Sequence, residues 1–478
     1  MSSNNQLKKN SLGLWSLVFF VVAAASPLTG IVGALPIAFL AGNGVGMPGI
    51  YVMAGLILAL FAVGFVTMSR HVVNAGAFYS YISSSLGPKF GLAGLKIALL
   101  AYTAIQISVA AMFGFMTSMF LSDHFGLAMP WWICSVLMLG VVLALGVAKV
   151  ELGGKLLGLL MLAEVGIVIL TALSIVVHGG ATGTLEFSSF TPQASFSGAI
   201  GIGLIFAISC FVGFEATAIY SEECRDPEKA VPRATLLAVA LITLFFTFVS
   251  WAFVQATGPA ALLEIVGKDP GRFIFVMTEQ YVGQWAVEMM SVLLITSLFA
   301  ATQAFHNTIS RYLFSISRDG FLWQGLARTH KEFGTPWMAS LVQSLVMIAL
   351  MLGCGLAALD PMQHVFAWCS AICTLSILLL QAAVSVAVIL FFRQHPQIKA
   401  SFWSSQLAPA LAAIGLSVAL IKVIENLNVL SGSDSHAIFS LPYLVFGTAA
   451  LGYGLAWLIS QVFPARYARL QKLVESVA

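Results

Sequence analysis

The sequence contains very little charge. Only 9% of its 478 residues are Asp, Glu, Lys or Arg, whereas a soluble domain carries about 25%. Hydrophobic residues make up 59% of the chain, and the mean hydropathy is +0.97. No water-soluble fold has enough interior to hide this much apolar surface. The composition therefore excludes a soluble protein and predicts an integral membrane protein embedded in a lipid bilayer.

Several signatures of other protein classes are also missing. The net charge of +3 is small and scattered, so we expect no nucleic-acid partner. The six cysteines lack metal-ligand spacing, so we expect neither a metal nor a cofactor. We find no nucleophile motif or metal cluster of an enzyme and no sizeable soluble domain of a receptor. The first apolar run, residues 12–40, is too long for the core of a signal peptide, so we expect none.

Apolar runs are abundant. A membrane-spanning helix needs about 20 mostly apolar residues, and charged, Pro-rich and Gly-rich breaks divide the chain into twelve such runs. We number them segments 1–12 in chain order: 12–41, 48–69, 90–121, 130–148, 155–177, 198–220, 233–256, 284–315, 337–357, 362–392, 403–424 and 438–462. The more polar stretch 259–282 is predicted to be a surface loop with short helices.

The basic residues favour one side of the membrane. With the N-terminus in the cytoplasm and alternating crossings, 19 of the 22 Lys and Arg residues lie on the cytoplasmic side. The outer side receives only Lys268, Arg272 and Lys422. Because positive residues are retained inside, we predict a multi-pass protein of the cytoplasmic (inner) membrane, with both termini, 1–11 and 463–478, in the cytoplasm.

Two segments contain signals for a break in the helix. Residues 26–36 of segment 1 include two prolines, two glycines and two hydroxyl side chains in the middle of an apolar run. Segment 6 is interrupted by Gly213 and the carboxylate Glu215. Proline removes a helical hydrogen bond, and glycine tolerates non-helical backbone. Paired breaks in corresponding helices of two repeats are the best sequence indication of a transporter site.

Five stretches resemble one known family. The run 213–216 (Gly-Phe-Glu-Ala) with 222–234 resembles the sixth-helix signature of the amino acid–polyamine–organocation (APC) superfamily. The run 307–320 with Gly-Thr-Pro at 334–336 resembles the end of its eighth helix, and 74–81 resembles the loop after its second helix. In segment 1 the family often has a Gly-Ser-Gly-like triplet. The nearest stretch here is 29–33 (Thr-Gly-Ile-Val-Gly), in which one glycine is displaced from its place in that triplet.

The resemblance implies an all-α membrane fold with LeuT-like architecture. Segments 1–5 (12–177) and 6–10 (198–392) would form two inverted five-helix repeats, with helices 1 and 6 discontinuous. Segments 11 and 12 (403–462) would follow as two additional helices, giving about twelve in all. The resemblance also implies alternating access and transport of amino acids or polyamines.

A zwitterionic substrate needs partners for both of its charges. The half-helix starting near Gly30 would offer free N–H groups and a positive dipole end to the carboxylate. Carbonyl groups near the segment 6 break would receive the ammonium. Tyr102 and Gln106, one helical turn apart, share a face of segment 3. The candidate substrate-binding residues are Ser26, Thr29, Gly30, Ile31, Val32, Gly33, Tyr102, Gln106, Phe206, Ala207, Ile208, Ser209 and Phe211.

Two carboxylates lie inside apolar runs, Glu164 in segment 5 and Glu215 in segment 6. A charge at bilayer depth costs at least ~2.5 kcal/mol, so such residues usually face a cavity or a partner. Both are candidate proton-coupling residues, and the alternative for each is a permanently protonated structural glutamate. By resemblance, Glu164 stands where sodium-coupled relatives bind a cation, and Glu215 matches a carboxylate implicated in proton sensitivity.

Two further patterns concern the cytoplasmic half. Polar residues of segment 8 recur at helical spacing and are predicted to face the bundle interior: Thr302, Gln303, His306, Asn307 and Ser310. The charged run 222–233 is interpreted as a solvated cytoplasmic loop without a binding role.

These observations favour a secondary transporter, not an enzyme, that imports a small neutral amino acid by proton symport. A polyamine or cationic amino acid carrier and an amino acid exchanger are the alternatives. The predicted partners are therefore the amino acid, a proton and the bilayer, and the protein is expected to be a monomer or a homodimer.

Overall fold

The computed structural model describes residues 13–72, 78–148, 150–318, 320, 322–430, 440–462 and 464. The described residues form helices and connecting turns and contain no strand. Among them, 10 helices are long and apolar enough to cross a membrane, one of which joins segments 1 and 2 as Pro27–Ser69. The helix Trp131–Val147 is apolar but shorter. Lys8, Lys9, Lys149, Arg466, Arg469, Lys472 and the motif residues 74–77, 319 lie outside the described residues.

Each predicted segment contains helix. The first six correspond to Leu14–Ala25 with residues 27–43, Met47–Ser69, Pro88–Phe125, Trp131–Val147, Val150–Val177 and Ile200–Ser209. The last six correspond to Pro227–Thr257, Gln284–Arg318, Trp337–Leu356, Pro361–Gln394, Trp403–Leu427 and Leu441–Val462. Phe78–Leu86 is an additional short helix. The predicted surface loop after segment 7 contains the short helices Leu262–Lys268 and Phe273–Tyr281.

Segment 1 breaks at Ser26, not near Gly30. Ser26 adopts a left-handed conformation with φ 46° and ψ 69° between the helix ending at Ala25 and the one beginning at Pro27. Proline disfavours helical backbone in the residue before it, which accounts for a break at this position. Gly30 lies inside the second half, in a π-helical turn, and its N–H donates to the Ser26 carbonyl at 3.1 Å. The expected half-helix start near Gly30 is therefore wrong.

Segment 6 breaks after Ser209. Residues 210–213 form a turn, closed by Gly213 at φ 113°, and Phe214–Ala218 continues as a 3₁₀ helix. A positive φ of this size strains any residue except glycine. The loss of regular helix at Gly213 and Glu215 agrees with the sequence signal.

The end of segment 1 and the start of segment 6 are joined. The Asn43 side chain, at the end of segment 1, donates to the carbonyls of Ser195, at 2.9 Å, and Ser197. The Ala199 N–H donates to the Gly42 carbonyl at 3.1 Å. Asn426 of segment 11 accepts from the Gly201 N–H at 2.8 Å. These bonds tie the second half of segment 1 and the first half of segment 6 into one unit.

The long helices of segments 3 and 8 occupy the centre of the molecule. Segment 3 contacts segments 4, 8, 10 and 12, and segment 7 packs along segment 2. The predicted polar stripe of segment 8 is buried, as expected: Thr302, Gln303, His306, Asn307 and Ser310 are each 8% exposed or less. Segment 12 exposes large apolar side chains on its outer face, such as Leu451 and Trp457, as a lipid-facing helix does.

Candidate functional site

A small cavity of about 40 Å³ lies where the two breaks meet. Segments 1 and 6 contribute one set of lining residues, and segments 3, 8 and 10 contribute a second set, which we call the far wall. The lining residues are Ala25, Ser26, Thr29, Gly30, Ala34, Ile105, Val109, Ser209, Cys210, Phe305, Phe366 and Ser370. This volume holds roughly three water molecules, so the cavity has to widen for anything larger.

Gly30 brings segment 1 into close contact with segments 6 and 7. A Cβ atom added to Gly30 would lie 2.7 Å from the Phe246 ring and 2.9 Å from the Cys210 sulfur. Phe246 in turn stacks on Tyr51, with ring centroids 5.2 Å apart. Only glycine fits between these side chains, so Gly30 sets the width of the cavity on this side.

A chain of hydroxyl groups leads away from the break in segment 1. Ser26 Oγ donates to Thr29 Oγ1 at 2.6 Å and lies 2.7 Å from Ser297 Oγ of segment 8. The Glu164 carboxyl is only 3% exposed and lies close to the Ser297 hydroxyl. The predicted proton-coupling residue of segment 5 is thus linked through Ser297 to the break itself.

Glu215 stabilises the break in segment 6. Its Oε1 accepts from the Tyr102 hydroxyl at 2.8 Å, and its Oε2 accepts from the Gly213 N–H at 3.2 Å. Both carboxyl oxygens therefore act as acceptors, and the group is completely buried. Tyr102, predicted to contact substrate, instead holds this carboxylate.

The turn of segment 6 redirects backbone carbonyl groups. The Phe211 N–H donates to the Ile208 carbonyl at 2.9 Å and not to Ala207, its partner in a regular helix. Among the hydrogen bonds of the described turn, none ends on the carbonyl oxygens of Ala207 or Cys210. Such carbonyl groups are suited to receive a cation.

Only part of the predicted substrate-binding set lines the cavity. Ser26, Thr29, Gly30 and Ser209 do so. Gly33 packs on Met112, and Gln106 accepts from the Gln343 side chain and donates to the Thr302 carbonyl at 3.4 Å. The remaining predicted residues besides Tyr102 are buried in the hydrophobic core: Ile31, Val32, Phe206, Ala207, Ile208 and Phe211.

Sequence reasoning missed the opposite wall of the cavity. Ile105 and Val109 lie one helical turn apart on segment 3, on the side of Gln106, and this spacing was the available signal. Cys210, Phe305, Phe366 and Ser370 had no comparable signal, because the packing of segments 8 and 10 against the breaks is set by the tertiary fold.

The interpretation of run 222–233 as fully solvated is wrong for Glu223. Glu223 and Arg311 form a buried ion pair, with Nε–Oε1 2.5 Å and Nη2–Oε2 3.2 Å. Their side chains are 8% and 2% exposed. Arg311 also lies over the Tyr220 ring, 4.6 Å from its centroid. A lone arginine in apolar segment 8 was the signal, since a buried charge needs a partner.

Comparison of the sequence with known proteins gives consistent matches. A family profile described as amino acid permease matches residues 16–441. The methylthioribose transporter of Bacillus subtilis is 26% identical over 368 residues, 74% of this chain and 75% of that protein. Large neutral amino acids transporter small subunit 2 of Mus musculus is 25% identical over 320 residues, covering 63% of this chain and 57% of that protein. The branched-chain amino acid permease of Lactococcus lactis is 24% identical over 334 residues, covering 63% and 67%.

The chain thus matches little more than half the length of the Mus musculus relative. A solved manganese transporter of Eremococcus coleocola, in complex with an aromatic bis-isothiourea substituted compound, superimposes with a TM-score of 0.58. That match covers 98% of this chain and 99% of that one at 16% identity. It shows the fold alone: an all-helical membrane fold of LeuT-like type with segments 1 and 6 discontinuous.

Proposed function

The chain belongs to the amino acid permease family, a family of transporters and not enzymes, and on that premise we propose that it imports a small neutral amino acid together with a proton. The observation that carries the proposal is the cavity between the two broken segments, which has a donor side and an acceptor side.

The donor side is the start of the second half of segment 1. Leu28 and Thr29 lie in the first turn after the break, where backbone N–H groups have no intrahelical acceptor. The positive end of the helix dipole favours an anion at the same place. A substrate carboxylate is therefore stabilised here by the backbone.

The acceptor side is the end of the first half of segment 6. Cys210 lines the cavity, its carbonyl oxygen accepts none of the hydrogen bonds of the described turn, and the negative end of that half-helix favours a cation. A substrate ammonium would bind here. Neither Glu164 nor Glu215 lines the cavity, which argues against a second positive charge on the substrate and so against a polyamine or cationic amino acid.

Glu164 is proposed to carry the coupled proton. A hydroxyl group has one hydrogen to donate, and Ser26 gives its hydrogen to Thr29. The hydrogen between Ser26 and Ser297 must then come from Ser297, which leaves the Ser297 oxygen free to accept a hydrogen from a protonated Glu164 carboxyl beside it. Glu164 fits this chain as the neutral acid. Loss of its proton would turn the Ser297 hydrogen toward the carboxylate and release Ser26 at the break.

Glu215 is a second candidate with a different environment. Because both of its oxygens accept hydrogen bonds, the ionised form is satisfied as it stands. Protonation would turn one of the two carboxyl oxygens into a hydroxyl group. This would weaken the hydrogen bond that this oxygen accepts, from either the Tyr102 hydroxyl or the Gly213 N–H. A proton on Glu215 would therefore act on the segment 6 break, as one on Glu164 acts on the segment 1 break.

Uptake into proteoliposomes tests the proposal. After a thermal-shift screen identifies the amino acid that raises the melting temperature, an inward proton gradient should drive its accumulation. Glu164→Gln, whose amide still donates to Ser297, should keep binding and counterflow but lose gradient-driven accumulation. Glu425→Gln, an exposed glutamate of segment 11, is the matched control. If Glu164→Gln and Glu215→Gln both accumulate substrate normally, the proton proposal is refuted.

A further inference from the structure

The far wall of the cavity contains one polar side chain. Segments 3, 8 and 10 contribute Ile105, Val109, Phe305, Phe366 and Ser370 to the lining. The backbone groups proposed above for the substrate charges belong to segments 1 and 6, so we expect the substrate side chain to contact the far wall. Ser370 is 2% exposed and offers that side chain its one polar contact on the far wall.

The hydrogen of Ser370 is already committed. Ser108 Oγ donates to the Phe366 carbonyl at 2.9 Å and lies 2.8 Å from Ser370 Oγ. A carbonyl oxygen can only accept, and Ser108 has a single hydrogen. The hydrogen in the Ser108–Ser370 contact must therefore come from Ser370, which leaves Ser370 Oγ with only lone pairs for the cavity.

We infer that Ser370 is a specificity-determining residue that selects amino acids whose short side chain donates a hydrogen bond, namely a hydroxyl or thiol as in serine and cysteine. This inference rests on the proposed function and narrows its substrate class. A side chain without a donor, such as that of alanine, leaves the buried acceptor unpaired once water is displaced, which is unfavourable.

A competition experiment with the purified full-length protein tests the inference. L-Serine, L-cysteine, L-alanine and 3-fluoro-L-alanine are titrated against bound radiolabelled serine; 3-fluoroalanine is close to serine in size but has no donor. We expect the Kd values of serine and cysteine to be at least about tenfold lower than those of alanine and 3-fluoroalanine. Ser370→Ala should bring serine down to the affinity of alanine while alanine changes little.

Two more variants separate selection from simple damage. Ser385→Ala removes another buried hydroxyl of segment 10, one that donates to the Gln381 carbonyl at 2.8 Å and does not line the cavity; its preferences should be unchanged. Ser108→Ala frees the Ser370 hydrogen, so the preference for serine over 3-fluoroalanine should shrink even if Ser370→Ala fails to fold.

Other outcomes overturn the inference in distinguishable ways. Equal affinities for serine and alanine in the wild type would refute the selection by Ser370 but leave amino acid transport intact. An equal loss for all four compounds in Ser370→Ala would show that Ser370 holds the substrate ammonium instead. If no amino acid binds, the proposed function fails and the inference fails with it.

Discussion

Gly30 contributes only a hydrogen atom, yet this absence of a side chain shapes the cavity. In Gly30→Ala the new Cβ would overlap Phe246 and the Cys210 sulfur, at 2.7 and 2.9 Å. The break would have to shift by several tenths of an ångström, so we expect a loss of substrate affinity of about tenfold or more, since overpacking typically costs about 1–3 kcal/mol. The affinity is measured by the binding of radiolabelled substrate to the purified variant.

Two further variants make this prediction specific. Gly140→Ala adds the same methyl group to a helical glycine of segment 4 with nothing within 4 Å, and it should bind normally. Phe246→Leu combined with Gly30→Ala removes much of the overlap and should restore part of the lost affinity. Unchanged binding in Gly30→Ala alone would mean that the cavity is not the substrate site.

At the same scale, the sequence located the break only approximately. Its prolines and glycines indicated an interruption in segment 1, but the expected start near Gly30 weighted glycine flexibility over the steric effect of proline. The Ser26–Pro27 pair was the better signal, because proline disfavours helical backbone in its predecessor. The hydroxyl chain to Ser297, 271 residues away in sequence, carried no local signal.

At the scale of helices, the turn that follows segment 6 is fixed to segment 8 by Glu223 and Arg311. Removing one partner of a buried ion pair leaves the other charge uncompensated and destabilises a protein by about 3–5 kcal/mol. We expect Glu223→Gln and Arg311→Met each to lower the melting temperature of the purified protein substantially. The loss of stability in the double variant should be much smaller than the sum of the two single-variant losses, because no unpaired charge remains.

Arg311→Lys provides the geometric control. Lysine keeps the charge but cannot form the bidentate contact or stack on Tyr220 as a planar group does. Its stability should therefore fall between those of the wild type and Arg311→Met. Strictly additive losses in the double variant would show that the two residues act independently.

Hydropathy predicted the helices well because a spanning helix has to be apolar along its whole length. All twelve predicted segments contain helix, and the two predicted breaks are where regular helix ends. Pairings between distant segments were not predictable, because a hydrogen bond such as Gln343 to Gln106, 237 residues apart, depends on how helices cross. The predicted substrate-binding set therefore includes residues at both breaks but none of the far-wall residues that line the cavity, and its role in binding stays a prediction.

At the scale of the whole molecule, the orientation in the membrane stays a prediction. The distribution of 19 basic residues on one side and three on the other places both termini in the cytoplasm. A fluorescent protein that matures only in the cytoplasm, fused after residue 478, should fluoresce. A cysteine introduced at Asp269, in the exposed loop before Phe273, should react with a membrane-impermeant maleimide in intact cells. Labelling only after lysis would reverse the orientation.

The coupling mechanism also has a signature that belongs to the whole molecule, namely net charge movement. A neutral amino acid is a zwitterion, so symport with one proton moves one positive charge, whereas exchange of two such amino acids moves none. A substrate jump on protein reconstituted on a solid-supported membrane should therefore give an inward positive current that disappears in Glu164→Gln, although counterflow continues. Uptake without current in the wild type would identify an exchanger, and Glu164 would then be a structural acid that keeps Ser297 and Ser26 in place.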